Sequence, residues 1–179
     1  METERLIIRR WKLDDAESLF EYAKDPEVGP VAGWPAHKSI EDSISIIKNV
    51  FKGEEIYALA LKEDTKAIGA IGLKLRGDTN LTDRDDECEL GYWLGKEFWG
   101  RGLMPEAVGE ILRHAFCDLG MTKVWCAYYT GNEKSKRVQE KCGFIPQKVI
   151  KDEYLPLMDE RRDVNVNLLT REEFLKKEG

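Results

Sequence analysis

Residues 98–116 read FWGRGLMPEAVGEILRHAF, a Gly-x-Gly turn that runs straight into an amphipathic stretch. Met104, Ala107, Val108, Ile111, Leu112, Ala115, Phe116 and Leu119 recur at intervals of three and four, which predicts a long helix stopped by Gly120. A helix that begins behind such a turn leaves several backbone N–H groups unpaired, and its dipole adds roughly half a positive charge there. Gly100 and Gly102 let the main chain approach an anion with no Cβ in the way, and both tolerate φ above zero. Pro105 suits the first helical turn, where its missing N–H removes no helix bond. The pattern describes either a phosphate cradle, with Arg101 adding charge or facing solvent, or a tight turn that serves helix–strand packing alone. It is not a Walker loop, because GRGLMP lacks the Gly-Lys-Ser/Thr step. Nor is it a dinucleotide fingerprint, whose third glycine would fall on Pro105.

Other chemistries find little material. Cys88, Cys117, Cys126 and Cys142 form no Cys-x-x-Cys pair and sit among apolar neighbours, as reduced thiols of a cytoplasmic protein would. His37 and His114 have no second ligand at metal-binding spacing, so no metal is expected. Lys and Arg number 28 against 34 Asp and Glu, a net charge of -6, which opposes direct nucleic-acid binding. The same balance is compatible with a cationic partner. No apolar run reaches the roughly 18 residues that span a membrane, and METERLIIRRW lacks a signal peptide's apolar stretch.

The elements that must position the turn read as one α/β domain over residues 1–179. RLIIRRW predicts a strand, KLDDAESLFEYAK a helix, DPEVGPVAGWP a surface loop, and SIEDSISIIKNVF a helix capped by Ser39. IYALALK and AIGAIGLKLR read as a hairpin through EDTK, followed by the polar connector GDTNLTDRDDE. ECELGYWLG is a strand ahead of the long helix, and KVWCAYY a strand after it. NEKSKRVQEKCG then reads as a helix capped by Asn132, and FIPQKVI and RDVNVNLL as closing strands.

GYWLGKEFWGRGLMPEA followed by YYTGNEKSKRVQEKCGF resembles the GNAT superfamily of acetyl-coenzyme A dependent N-acetyltransferases. TERLIIRRWKLDDAESLFEY and DEYLPLMDERRDVNVNLL resemble its RimJ/RimL branch of ribosomal-protein N-terminal acetyltransferases, so the likeness covers nearly the whole chain. The signature Gln/Arg-x-x-Gly-x-Gly/Ala is met with Trp99 at the first position and Met104 at the last. The resemblance implies a mixed, strongly twisted sheet of about seven strands, helices on both faces, and a splay between the fourth and fifth strands. It implies that amides of Gly100, Arg101, Gly102, Leu103 and Met104 hold the coenzyme pyrophosphate, and that Tyr92, Trp93 and Leu94 pair with the pantetheine arm. Asn132 matches an asparagine that binds the same arm. Gln139 stands where many members carry a tyrosine acid, and Ser135 is the nearest substitute.

Acetyl transfer to an amine by direct attack requires a base, an oxyanion donor and a tolerated thiolate, but no covalent enzyme intermediate. Leu90 to Tyr92 are the expected oxyanion donors. Two carboxylates compete for the base: Glu89 on the strand before the turn, and Glu153 in DEYL. Either could instead be a plain strand or loop charge. Trp34, Tyr128 and Tyr154 are candidates for the acceptor pocket, and Asp83, Asp85, Asp86 and Glu87 form a solvated run or an attractor for a cationic acceptor. The expected acceptor is a protein N-terminal α-amine. A small-molecule amine is the main alternative and a non-catalytic coenzyme-binding module the other; monomer and homodimer both remain open.

Overall fold

A computed structural model describes residues 1–178. Seven strands form one sheet in the order β1-β2-β3-β4-β5-β7-β6. They are β1 (Leu6–Arg9), β2 (Ile56–Leu61), β3 (Ala67–Lys74), β4 (Glu87–Leu94), β5 (Lys123–Tyr129), β6 (Ile145–Leu155) and β7 (Glu160–Thr170). Every pairing is antiparallel except β4 with β5. The interior strand β3 is buried from Ala67 through Leu73, as a strand covered on both faces must be.

The helices are α1 (Ala16–Ala23), α2 (Gly29–Ala32), α3 (Ile40–Asn49), α4 (Leu103–Arg113), α5 (Glu133–Cys142) and α6 (Arg171–Glu178). Ser39 caps α3 through a capping box with Asp42, as its position implied. The apolar stripe of α4 enters the main core with Leu103, Ala107, Val108, Ile111 and Leu112 buried. The stretch expected to continue α4 changes winding at His114–Asp118 to a π-helical turn.

Three segments differ from expectation. Gly29–Ala32 forms a short helix inside the expected loop, and α6 follows β7 where no helix was expected. A capping box starts α6: the Glu173 carboxylate accepts from the Thr170 N–H, and Thr170 Oγ1 accepts from the Glu173 N–H. Phe174 then packs on Phe116, with ring centroids 5.2 Å apart. The closing hairpin is also longer than expected, so Glu153 and Tyr154 lie on β6 rather than in a loop. Register shifts at Pro146/Lys148 and Ile150/Glu153 let this long edge strand bend while still pairing with β7.

Candidate active site

β4 and β5 pair only from Glu87↔Lys123 to Leu90↔Cys126 and then part. β4 continues to pair with β3 as far as Leu94, while β5 follows β7 to Tyr129. One edge of Gly91–Leu94 therefore lacks a strand. The Gly95 N–H donates to the Ile68 carbonyl, so antiparallel alternation turns Gly91 and Trp93 toward β3. It leaves the N–H groups of Tyr92 and Leu94 facing the gap. Gly91, one of the expected oxyanion donors, thus spends its N–H on the sheet.

The Gly-x-Gly turn follows directly. Gly100 has φ +74° and Gly102, the N-cap of α4, φ +77°, conformations that a side chain would strain. Among the described residues, the N–H groups of Gly100, Arg101, Gly102, Leu103 and Met104 donate to no protein acceptor. Five free amides at a helix N-terminus make an anion site. Trp99, which replaces the usual first signature residue, donates Nε1–H to the Leu94 carbonyl at 2.8 Å and so pins the loop to the end of β4.

A second clamp was invisible in the sequence. Glu106, in the first turn of α4, accepts from the Thr3 hydroxyl, the Arg5 N–H at 2.8 Å and Arg5 Nε at 2.7 Å. Arg5 Nη1 also donates to the Arg101 carbonyl at 2.9 Å. Burial alone would raise the Glu106 carboxyl, but the Thr3 hydroxyl and the Arg5 donors bring it below the ordinary range. Glu106→Ala should cost about 2 kcal/mol in urea unfolding, because it strands those donors. A depressed carboxyl contributes stability above its unfolded titration range and loses it as pH falls through the folded value. Glu106→Gln and wild type should therefore differ near neutrality and converge in acid; a constant gap across that range would show that the ionised form contributes nothing.

A cleft of about 1190 Å³ joins the turn to the gap. Its α5 wall presents Lys134, Arg137 and Lys141, three cations on one helix face. Lys134 also stands over the Trp99 ring, 4.1 Å from its centroid. The lining also presents Asp78, Glu89 and Glu153 with Lys74 among them, while Glu27 is paired with Lys96 of the turn. The cleft lining thus carries both the α5 cations and the carboxylates Asp78, Glu89 and Glu153.

Glu89 is largely buried, and its two oxygens accept from Lys74 Nζ at 2.7 Å and from the Thr79 hydroxyl. Glu153 lies across the mouth, exposed and without a side-chain partner among the described residues. Tyr129 lies near both and carries no signal in the sequence that sets it apart from Tyr128. Burial raises its phenol; Lys74 and Arg162 lower it, and Glu89 and Glu153 raise it again. The Arg162 guanidinium lies 5.2 Å from the Tyr129 ring centroid and donates to the Pro30 carbonyl, tying α2 to β7.

Trp34 and the Arg101 side chain lie away from the cleft, and the other expected residues are placed as follows. Trp34 does not reach the cleft, because its ring packs edge-on against Trp93 at 5.7 Å and against His37. The Arg101 side chain lies over Phe98 instead of the loop, which leaves only its amide for an anion. Tyr128 lines the cleft, but strand alternation places it on the Cys126 face toward α5, opposite Tyr129. Tyr154 lines the mouth and donates its hydroxyl to Asp159. Asp85, Asp86 and Glu87 pair with Arg76, Arg84 and Lys123, so the acidic run is neutralised locally and lies outside the cleft. Asn132 Oδ1 accepts from the Ser135 N–H as a helix cap, and its amide nitrogen is left over.

Residues 5–145 match the family model described as the acetyltransferase (GNAT) domain. The chain is a GNAT acetyltransferase. A GNAT acetyltransferase from Bacillus anthracis superposes with a TM-score of 0.83 at 22% identity, over 97% of this chain and 99% of that one. The uncharacterized N-acetyltransferase YoaA of Bacillus subtilis (strain 168) is 28% identical over 156 residues, 84% of this chain and 85% of that protein. The microcin C7 self-immunity acetyltransferase MccE, solved with acetyl-CoA and AMP, matches at 24% identity and TM-score 0.74 over 93% of each chain. This GNAT enzyme uses acetyl-CoA as acyl donor and an amine as acceptor. Free amides, basic α5 face and bare β4 edge all suit that donor, whose diphosphate and amide-bearing arm need them. Among the described residues no group of three metal-ligating side chains stands together, and no helix is long and apolar enough to cross a membrane.

Proposed function

We propose that the enzyme acetylates the N-terminal α-amine of a polypeptide. The supporting observation is the shape of the acceptor mouth. Val31, Tyr154 and Leu157, exposed by 39%, 47% and 71%, line the cleft. An open apolar rim, with Glu153 exposed beside it and Glu89 sheltered, suits a chain whose terminal ammonium enters while its next residues lie along the rim. The RimJ/RimL-like sequence features support the same acceptor. Asp78, Glu89 and Glu153 also suit a compact polyamine, which makes that the reading to test against.

In this reading the amides of Gly100 to Met104 hold the diphosphate and Lys134, Arg137 and Lys141 the remaining phosphate charge. The gap-facing N–H groups of Tyr92 and Leu94, with the spare Asn132 amide, orient the pantetheine arm and the acetyl carbonyl. Glu89 withdraws the ammonium proton, directly or through water, while Lys74 and Thr79 hold its carboxylate in place. Glu153 holds the ammonium at the mouth. An acetyl-CoA assay across short peptides, free amino acids and polyamines should show at least about tenfold higher kcat/KM for peptides, because rim contacts add binding that small amines lack. Equal or higher kcat/KM with a polyamine would reject the polypeptide acceptor.

A further inference from the structure

The residue at the family's tyrosine-acid position cannot act as an acid. Gln139 is fully buried, and its Nε2 donates to the Ala127 carbonyl at 3.3 Å and to Ser135 Oγ at 3.2 Å. Its Oε1 accepts from Asn167 Nδ2 at 2.8 Å. The amide orientation has no freedom, since a carbonyl must face its nitrogen and the buried Asn167 amide its oxygen. Gln139 satisfies a carbonyl on the part of β5 that β4 has left, and its hydrogen-bonding capacity is spent.

A phenol from a different element fills the role. Tyr92, on β4, sends its hydroxyl across to α5, where Oη lies 3.0 Å from Ser135 Oγ and 3.2 Å from the Ser135 carbonyl. Ser135 Oγ accepts from Gln139, which leaves its own proton free to donate to Tyr92 Oη. The chain then runs head to tail: Asn167 N–H to Gln139, Gln139 N–H to Ser135, Ser135 O–H to Tyr92. Each link polarises the next, and the Tyr92 proton is the open end. In the resting enzyme that proton has only the Ser135 carbonyl, already the helical partner of α5. Both Tyr92 and Ser135 line the cleft where β4 and β5 part.

We propose that the Tyr92 hydroxyl is the hydrogen-bond donor to the departing coenzyme sulfur, with Ser135, Gln139 and Asn167 as positioning residues behind it. This rests on the reading above that the thioester enters the β4–β5 gap, and it is independent of which amine is acetylated. When the carbon–sulfur bond breaks, the bonding pair stays on sulfur. The thiolate is held by the Tyr92 O–H and takes its proton from solvent on release, so the phenol itself is not consumed. Burial, the largest influence, holds the phenol well above its ordinary titration range, opposed by the hydrogen bonds of Ser135 and Gln139. It therefore remains a neutral donor throughout the working range.

The test is the ionisation of the thiol of bound coenzyme A, followed by thiolate absorbance as the difference between loaded and unloaded enzyme. The protein thiols cancel in that difference, and burial pushes Cys142 up to about 11 and Cys126 higher still. Exposed Cys117 is replaced by serine in every sample. Tyr92→Phe should raise the bound thiol's pKa by about one unit or more at unchanged coenzyme affinity. Ser135→Ala should raise it less, and kcat of Tyr92→Phe should fall about tenfold to a hundredfold at constant KM for acetyl-CoA. The same titration in Tyr92→Phe and wild type would overturn the assignment, as would a full rise in Ser135→Ala with none in Tyr92→Phe. If the wild type binds no coenzyme A, the reading of the cleft fails first and takes this assignment with it.

Discussion

Gly102→Asp is expected to remove coenzyme A binding from a protein that still folds. Gly102 has φ +77°, and a Cβ there would meet only Arg5 Nη2, at 3.5 Å. The steric change is therefore small, and the backbone cost is about 1 kcal/mol, since Asp tolerates the left-handed region better than most residues. What changes is the charge. The new carboxylate sits at the N-cap of α4, where it accepts from the free amides of Leu103 and Met104 or stands against an incoming phosphate. Either way the anion site is filled by the protein itself. Calorimetry with acetyl-CoA should show affinity reduced at least about a hundredfold, or roughly 3 kcal/mol. Gly102→Ala carries the strain without the charge, so it separates the two effects and should lose far less. Wild-type affinity in Gly102→Asp would remove the diphosphate from this turn.

The second large effect falls on the base. Glu89→Gln is expected to lower kcat about a hundredfold to a thousandfold while acetyl-CoA affinity stays unchanged. Glu89 keeps the shape of its contacts in this variant but loses the charge that Lys74 faces at 2.7 Å. An ionised carboxylate has about four acceptor positions, so the bonds from Lys74 and Thr79 still leave room for a proton from the amine or a bridging water. Glu153→Gln should instead raise the acceptor KM several-fold with kcat nearly kept, because an exposed carboxylate at the rim contributes attraction more than chemistry. The reverse pattern, kcat lost in Glu153→Gln and spared in Glu89→Gln, would exchange the two roles.

Much of this site was legible before any coordinates. Gly100 and Gly102 announce positive φ, the apolar stripe of Met104 to Leu112 announces the helix behind them, and Asn132 announces the start of α5. Each is a local signal, written in a few consecutive residues by dihedral freedom, capping and periodicity. The Thr170-x-x-Glu173 box that starts α6 is a signal of the same kind, written in four consecutive residues.

What the tertiary structure alone decided lies between elements. The pairing register fixed which tyrosine of the Tyr128–Tyr129 pair faces α2 and turned the Gly91 N–H away from the gap. The fold placed Arg5 against Glu106, Lys74 against Glu89, and Trp34 behind Trp93 and away from the cleft. It also carried the Tyr92 phenol to Ser135, which neither residue's neighbours in the chain could foretell. A strand's side chains alternate whatever its partner is, but which face meets which helix depends on sheet order and register. Those are set by the burial of the whole core, so local chemistry could name the glycine turn and the two candidate carboxylates, whereas the partners that surround Glu89 and the contact of Tyr92 with Ser135 emerged only once the sheet was assembled.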